Sequence, residues 1–397
     1  MLRFEDIRFD CALYNGYKPC RYGNECADCP HYSPMMPPDN VSGPARMPAL
    51  TRPRSERFSV LLIKTGAMGD VLRTTTLLHA IHRARPGAHV VWITDPAAMP
   101  LLAGNPLVAE LLPFTPEQCH DLTAFRFDLV MNYEKDRPAL DLAAAVEAAR
   151  RVCFAPTPWG TPTVFNDEAR EGLLLGLSDE LKFRVNRKSY PRVIAEMAGL
   201  PWQRDPYILR PGEAAAARRD AVLAMCPAGP HRIRVGLNTG CGSVFRTKQW
   251  TERGWLELVD HLQAHAPRAD LLLLGGPAEE ELNRALAGAR TGLVDTGSGN
   301  TLEEFFGVVD ACDILVSSDS LAMHIGIALE KWVVAIFGST SPVEVDLFDR
   351  GEKIVTDFEC APCYLKSCDK QPTCMEALRG HVVGGAVMRE ILRRAPA

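Results

Sequence analysis

The chain has 397 residues, of which 47% are hydrophobic and 23% are charged, and its formal net charge is −5. This length suits two or three domains, and the composition is that of an ordinary soluble globular protein. The negative charge argues against nucleic acid as a partner, and no apolar run approaches the roughly 20 residues of a membrane span. The first six residues do not resemble a secretory signal. We therefore expect a cytoplasmic protein, with peripheral contact to the inner membrane surface left open.

Thirteen cysteines are many for a cytoplasmic chain, and they are clustered. Residues 1–35 are polar and turn-rich and cannot bury a core of their own. Four thiolates can close a tetrahedral zinc site, so we predict a Cys-rich metal-binding module over 1–35, with zinc ahead of an iron–sulfur cluster. The alternative is reduced cysteines packed on the main body, or a redox-labile lid. The proposed ligands are Cys11, Cys20, Cys26 and Cys29.

The proline-rich stretch over 36–56 predicts a linker. From Phe58 the pattern changes to an apolar run of strand length, then two glycines, then a helical pattern that ends near Arg85. A strand, a tight glycine turn and a helix form the first βα unit of a nucleotide-handling sheet. Asp70 lies at the mouth of this turn, where the alternative is a helix N-cap.

Strand and helix patterns then alternate, which predicts a parallel sheet covered on both faces. The alanine-rich segment Pro138 to Arg150 is the clearest helix. Residues 156–192 break the alternation, and their basic cluster from Lys182 to Lys188 suits either an anionic acceptor or a solvated face. We assign 57–225 to one Rossmann-like domain. Its later strands are predicted at 88–94, 109–114, 127–132 and 151–155.

The same alternation restarts after a Pro/Gly boundary and predicts a second Rossmann-like domain over 226–376. A C-terminal helix over 377–397 could pack back on the first domain. Two such domains facing a central cleft give an α/β fold of the GT-B architecture, with parallel sheets in both halves. The strands of the second half are predicted at 232–238, 270–276, 313–318 and 332–338.

Three loops of the second half follow strands, where ligands of such sheets bind. In the first, Arg246 and Lys248 suit a diphosphate, because the guanidinium of Arg246 is a planar bidentate donor and the ammonium of Lys248 is a point charge. The alternative is a solvated basic loop. In the second, Asp319 and Ser320 open a helix that carries His324. Asp319 could bind sugar hydroxyls or simply cap the helix, and His324 could be a buried structural residue. The third loop offers small or hydroxyl-bearing residues to phosphate, Gly338, Ser339 and Thr340.

Taken together and in this order, the segments 64–71, 248–250, 318–324 and 337–342 resemble glycosyltransferase family 9, the ADP-heptose:lipopolysaccharide heptosyltransferases. The resemblance implies a GT-B fold and an inverting, metal-independent transfer of a sugar from a nucleotide donor. It implies that Asp70 is the general base and that Lys248 holds the diphosphate. It also implies that Asp319 holds the donor sugar. The remaining roles fall to Ser339 and Thr340 at the phosphates, and to Lys64, Thr65, Gly66 and Gly69 at the acceptor-side corner.

The chemistry of inverting transfer needs the same groups: one carboxylate near the acceptor oxygen, and cations or N–H donors for the leaving diphosphate. We therefore expect an enzyme that needs no cofactor for catalysis and acts on a nucleotide sugar, ADP-heptose being favoured, and on a glycolipid or saccharide acceptor. Alternatives are another donor or acceptor, a non-hydrolysing UDP-sugar epimerase, and a metal- or redox-sensing binding protein.

A second cysteine cluster lies near the end of the predicted donor domain and resembles a segment found in many family members. It suits a structural metal, zinc before iron–sulfur, or a set of reduced thiols that pack a loop. Its members are Cys360, Cys363, Cys368 and Cys374.

Overall fold

The computed structural model of the chain describes residues 1–17, 26, 28–36, 51–226, 232–242 and 245–394. The chain divides into two compact units, residues 1–205 and residues 206–397. Each unit is built on its own sheet, and strands paired in parallel dominate both. The α/β class with two parallel-sheet domains is confirmed. No helix among the described residues is both long and apolar enough to cross a bilayer.

The sheet of the first unit has the strand order β4-β3-β2-β5-β6-β7, and β1 pairs with the start of β5. All of its pairs are parallel except β6 with β7. Every residue of β2 is buried, as expected for a central strand covered on both faces. The strands are β1 Arg52–Pro53, β2 Ser59–Ile63, β3 His89–Thr94, β4 Glu110–Pro113, β5 Phe125–Asn132, β6 Glu147–Pro156 and β7 Pro162–Val164.

The helices of the first unit are α1 Met68–Thr74, α2 Thr76–Ala84, α3 Pro116–Leu122, α4 Arg137–Ala145, α5 Arg170–Leu177 and α6 Tyr190–Met197. A turn of π-helix, Glu180–Val185, lies between α5 and α6. The prediction of a helix up to Arg150 is wrong at its end. Helix α4 ends at Ala145, and residues 147–150 belong to β6, whose Glu147 pairs with Arg126 of β5. Sheet pairing overrides the helix propensity of alanine here.

The N-terminal residues pack on the first unit and belong to it. Thr161 donates its hydroxyl to the carbonyl of Phe9 at 2.6 Å, and buried Tyr14 donates to the carbonyl of Pro162 at 2.9 Å. Cys11 forms an isolated antiparallel bridge with Pro34. Residues 1–36, as far as they are described, are therefore not a free-standing module. Most of the predicted linker lies outside the described residues.

The sheet of the second unit has the strand order β10-β9-β8-β11-β12-β13, and all of its pairs are parallel. Its central strands are fully or almost fully buried. The strands are β8 Ile233–Asn238, β9 Ala269–Leu274, β10 Leu293–Asp295, β11 Ile314–Ser318, β12 Trp332–Phe337 and β13 Gly351–Val355.

The helices of the second unit are α7 Glu213–Met225, α8 Glu252–His265, α9 Glu280–Ala289, α10 Leu302–Asp310, α11 Leu321–Ala328, α12 Cys374–Ala377 and α13 Gly380–Arg394. Helix α7 packs on α10 so closely that a Cβ on Gly307 would lie 2.0 Å from the carbonyl oxygen of Ala215. The unit therefore begins before α7, and not at the boundary of 226 drawn from the sequence. Helix α13 packs on α8 of the same unit.

Candidate active site

The loop that joins β2 to α1 is organised by Glu134, which follows β5. One carboxylate oxygen, Oε1, accepts hydrogen bonds from Lys64 Nζ at 2.5 Å, from the Thr65 amide at 2.8 Å and from the Gly66 amide at 3.1 Å. Both charged side chains are almost completely buried. The carboxylate thus holds a lysine and two backbone amides of the acceptor-side corner in one arrangement.

Lys64 keeps its positive charge in this buried place. Burial alone lowers the pKa of Lys64, but its electrostatic interactions with Tyr190, Glu134 and Asp70 together raise it above the ordinary value. Sequence reasoning missed Glu134. A usable signal was its position, because β5 pairs with β2 in parallel and the carboxyl ends of both strands lie at one edge of the sheet.

Asp70 is the third residue of α1, and the N-cap position is taken by Ala67. The alternative interpretation of Asp70 as an N-cap is therefore wrong. Its Oδ1 forms an ion pair with Arg73, with Nη2 at 2.7 Å and Nε at 3.0 Å. The guanidinium of Arg73 in turn lies 3.8 Å from the ring centroid of Tyr190. The carboxylate is held in place while 35% of the Asp70 side chain stays exposed, so a hydroxyl can reach it.

The two glycines of this corner differ in setting. Gly66 lies in the loop, and a Cβ built on it would meet no atom within 4 Å. This leaves free space beside the loop, as the acceptor-side prediction requires. Gly69 lies in the first turn of α1, directly before Asp70.

In the second unit, Lys248 and Asp319 come together from different loops. Lys248 Nζ lies 3.7 Å from Asp319 Oδ2, and His324 Nε2 lies 3.9 Å from Asp319 Oδ1. Ser320, and not Asp319, is the N-cap residue of α11, so the capping alternative for Asp319 is wrong. A cation and a carboxylate therefore meet beside the carboxyl ends of β8 and β11. His324 is buried, and Arg246 is exposed on the same short turn as Lys248.

Ser320 takes part in a polar network behind this pair. Its hydroxyl lies 2.9 Å from the hydroxyl of Ser317 and 3.4 Å from Asn238 Nδ2. Asn238 also donates to the carbonyl of Gly240 at 2.8 Å. The network ties the loop after β8 to the loop after β11. Asn238 was not singled out from the sequence.

The loop after β12 carries three buried hydroxyls, those of Ser339, Thr340 and Ser341. Thr340 Oγ1 is buried and has no hydrogen-bond partner in the part of the chain that the structure describes. A buried hydroxyl without a partner costs free energy unless a ligand completes it. Ser339 has a partner, because Thr247 donates to its hydroxyl at 3.0 Å.

The second cysteine cluster lies on a segment bound to this same loop. The amides of Cys363 and Tyr364 both donate to the carbonyl of Ser339, at 3.0 and 2.8 Å. A Cβ on Gly338 would lie 2.5 Å from the sulfur of Met375 and 2.9 Å from that of Cys374, so the cysteine segment packs closely on this loop. A cavity of about 380 Å³ is lined by residues of both the loop and the cysteine segment. Among them are Arg246, Ser339 and the cysteines Cys360, Cys363, Cys368 and Cys374.

The four thiols of this segment are close enough to influence one another. Burial raises the pKa of the Cys374 thiol, and its electrostatic interactions with Cys363, Cys368 and Cys360 raise it further. Among the described residues, no group of three or more His, Cys, Asp or Glu side chains is arranged to hold a metal ion. Of the N-terminal set, Cys11 and Cys29 are free thiols, Cys26 is half-buried, and Cys20 lies outside the described residues.

Comparison with known proteins shows what the chain is similar to. A model of the family described as glycosyltransferase family 9 (heptosyltransferase) matches residues 213–373. Lipopolysaccharide heptosyltransferase 1 of Pseudomonas aeruginosa is 24% identical over 338 residues, which cover 79% of this chain and 88% of the relative. The chain resembles the glycosyltransferases of family 9. The resemblance drawn from the four sequence segments is thereby confirmed.

Solved structures of similar fold support the architecture of the chain. The ADP-heptose LPS heptosyltransferase II of E. coli matches with a TM-score of 0.62 at 17% identity, over 84% of this chain and 99% of that chain. An iron-containing dodecameric glycosyltransferase, TibC from enterotoxigenic E. coli, matches with a TM-score of 0.50 at 15% identity, over 86% of this chain and 77% of that chain. These likenesses confirm the GT-B type of fold with two Rossmann-like domains.

Proposed function

We propose that the protein transfers heptose from ADP-heptose to a lipopolysaccharide-type saccharide or glycolipid acceptor, with inversion at the anomeric carbon. The observation that carries the proposal is the pair of Lys248 and Asp319, whose charged atoms lie 3.7 Å apart. A cation for a diphosphate and a carboxylate for sugar hydroxyls then stand side by side. The relatives named above are heptosyltransferases, which favours heptose over other sugars.

In the proposed reaction, Asp70 takes the proton from the acceptor hydroxyl. The acceptor oxygen forms its bond to the anomeric carbon as the bond from that carbon to the diphosphate oxygen breaks. The electron pair leaves with ADP, and Lys248 and Arg246 stabilise the negative charge. The hydroxyls of Ser339 and Thr340 and the backbone amides of their loop complete the phosphate contacts.

The decisive variant is Asp70→Asn, which keeps the size of the side chain and removes the base. We expect heptosyl transfer to be lost while ADP-heptose still stabilises the protein against heating. Near-normal turnover of Asp70→Asn would overturn the assignment of the base.

A thermal-shift panel of nucleotide sugars tests the donor. We expect selective stabilisation by ADP-heptose. Selective stabilisation by another nucleotide sugar would identify a different donor. Stabilisation by UDP-sugars alone, with sugar interconversion and no transfer, would instead support the non-hydrolysing epimerase.

For the cofactors, we propose that catalysis uses no metal and that the second cysteine cluster binds a structural zinc ion. Four neighbouring thiols are a soft donor set that suits zinc, although their side chains would have to turn toward one point to hold it. Elemental analysis of anaerobically purified protein should find about one zinc per chain, lost in Cys363→Ser and kept in the isolated-cysteine control Cys119→Ser. Stoichiometric iron would show that the cluster binds iron and not zinc. Protein free of both metals would overturn the proposed metal site.

For the location, we propose a cytoplasmic enzyme that contacts the inner membrane surface peripherally, where a glycolipid acceptor would be presented. Fractionation of cells should place the protein in the cytosol and in a salt-extractable membrane fraction. Resistance of the membrane fraction to salt and to alkaline washing would contradict a peripheral contact.

A further inference from the structure

Lys135, the residue after Glu134, has an unusual environment. Its Nζ donates to the carbonyl of Gly16 at 2.6 Å, and it lies 4.2 Å from the ring centroid of Tyr17 and 5.2 Å from that of Phe154. Among the described residues, no carboxylate lies within ion-pair distance of this nitrogen. A half-buried ammonium is thus surrounded by a carbonyl and two aromatic rings, and the mechanism above does not use it.

The charges around Lys135 favour an additional anion. Burial lowers the pKa of Lys135 to about 7, and the positive charges of Lys182 and Lys64 act in the same direction, against the opposing effect of Glu134. Glu134 is already bonded to Lys64. An anionic group placed at Lys135 Nζ would offset the repulsion among the three lysines and form a charge-assisted hydrogen bond.

The N-terminal residues hold Tyr17 firmly at this place. Gly16 has φ +75°, and a Cβ on it would lie 2.4 Å from Pro162 Cγ, so the backbone there fits closely against the first residue of β7. Tyr14, two residues earlier, is buried and bonded to Pro162. Tyr17 nevertheless stays 46% exposed. An exposed aromatic ring on an anchored backbone can stack on a sugar at a low entropic cost, because the side chain has little conformational freedom left to lose on binding.

The position of Tyr17 relates it to the catalytic corner. Burial and the charge of Glu134 raise the pKa of the Tyr17 hydroxyl to about 12, against the opposing charge of Lys64. Tyr17 therefore lies within electrostatic reach of the Lys64–Glu134 pair, and the charge of Lys64 in turn is influenced by Asp70. The ring, the ammonium and the proposed base belong to one region of the first unit.

We propose that Tyr17 and Lys135 form an acceptor subsite, in which the Tyr17 ring stacks on a sugar and Lys135 Nζ binds a carboxylate or phosphate carried by the acceptor. The inference rests on the proposed function and adds two specificity-determining residues to its acceptor site. It also gives the N-terminal residues a role, because both Gly16 and Tyr17 come from them.

The test measures steady-state transfer from ADP-heptose to deacylated lipopolysaccharide core oligosaccharide. We expect Lys135→Met to raise the acceptor KM roughly 10- to 100-fold, as the loss of a charge-assisted hydrogen bond does, with the donor KM unchanged. Tyr17→Leu should raise the acceptor KM roughly tenfold, and Tyr17→Phe should restore it. The controls are Lys331→Met, a half-buried lysine of the second unit paired with Asp310, and Tyr32→Leu within the N-terminal residues.

Modified acceptors distinguish the anion. If Lys135 binds a carboxylate, amidation of the oligosaccharide carboxyl groups should raise the acceptor KM of the wild type and leave that of Lys135→Met unchanged. If Lys135 binds a phosphate, phosphatase treatment of the oligosaccharide should have this effect instead. The inference is overturned if the wild type transfers heptose and both variants, Lys135→Met and Tyr17→Leu, show the same acceptor KM as the wild type. A wild type without transfer to any of these acceptors overturns the proposed function instead.

Discussion

The carboxylate of Glu134 and the ammonium of Lys64 form a buried ion pair, with Oε1 and Nζ 2.5 Å apart. The same oxygen accepts the amides of Thr65 and Gly66. Because these two residues lead directly into α1, the pair sets the path of the chain toward Asp70. Glu134 is a positioning residue in this arrangement, since it acts on the proposed base through the loop.

Replacing Glu134 by Gln should lower both stability and kcat. The change leaves a buried ammonium without its counter-ion, which costs about 3–5 kcal/mol in comparable cases. Thermal unfolding and steady-state kinetics measure the two effects. The double variant Lys64→Met/Glu134→Gln removes both charges and should regain much of the stability but not the kcat. A double variant with full turnover would show that the pair serves folding alone.

Arg73 holds Asp70 by two hydrogen-bonding nitrogens and rests on the ring of Tyr190. Arg73→Met keeps much of the contact with the ring and removes the positive charge next to the proposed base. A carboxylate without this neighbour binds a proton more readily. We therefore expect the acid limb of the kcat/KM profile to move to higher pH. The exposed pair Arg137–Asp141 provides the control, because Arg137→Met removes a surface charge elsewhere on the same unit. An unmoved acid limb would mean that Arg73 does not tune the base.

The alternation of strands and helices was readable from the sequence, because buried parallel strands such as β2 and β12 are short apolar runs bounded by turn residues. The end of α4 was not. The alanines before Arg150 favour a helix locally, but their pairing with β5 is a long-range interaction that no local pattern reports.

The catalytic loops show the same division. Lys248 and Asp319 follow recognisable strands, and their roles could be proposed from segments close to each of them. Glu134 is distant in sequence from the loop that it holds, and only the pairing of β2 with β5 brings the two together. Similarly, the packing of Gly16 and Tyr17 on the first unit depends on contacts with Pro162 and Lys135 that no spacing in the sequence indicates.

Thr340 offers a test of the phosphate contacts. Its hydroxyl is buried without a partner among the described residues. Thr340→Val therefore keeps the shape of the side chain and removes a hydroxyl that does not stabilise the free protein. We expect unchanged or slightly raised thermal stability and weaker binding of ADP, by roughly tenfold for one lost hydrogen bond. Calorimetric titration with ADP measures the affinity.

The matched control for Thr340 is Thr239, another buried threonine of the second unit. Its hydroxyl has partners, Asn283 Oδ1 at 2.7 Å and the carbonyl of Leu274 at 3.2 Å. Thr239→Val should therefore lose stability, because it leaves buried partners unsatisfied. Equal effects of the two substitutions on stability would show that the Thr340 hydroxyl has a partner in the free enzyme.

The burial of Lys135 predicts that the free energy of unfolding depends on pH. This effect is separate from the proposed role of Lys135 in binding. Its pKa falls from 10.5 to about 7 on folding, chiefly because of burial. Between these two values the unfolded chain binds more protons at this residue than the folded chain does, so the free energy of unfolding rises with pH across the interval. In Lys135→Met this contribution is absent. Denaturant unfolding at pH 7 and pH 9 should therefore show a larger increase for the wild type than for the variant. The same increase in both proteins would mean that Lys135 remains charged in the folded state.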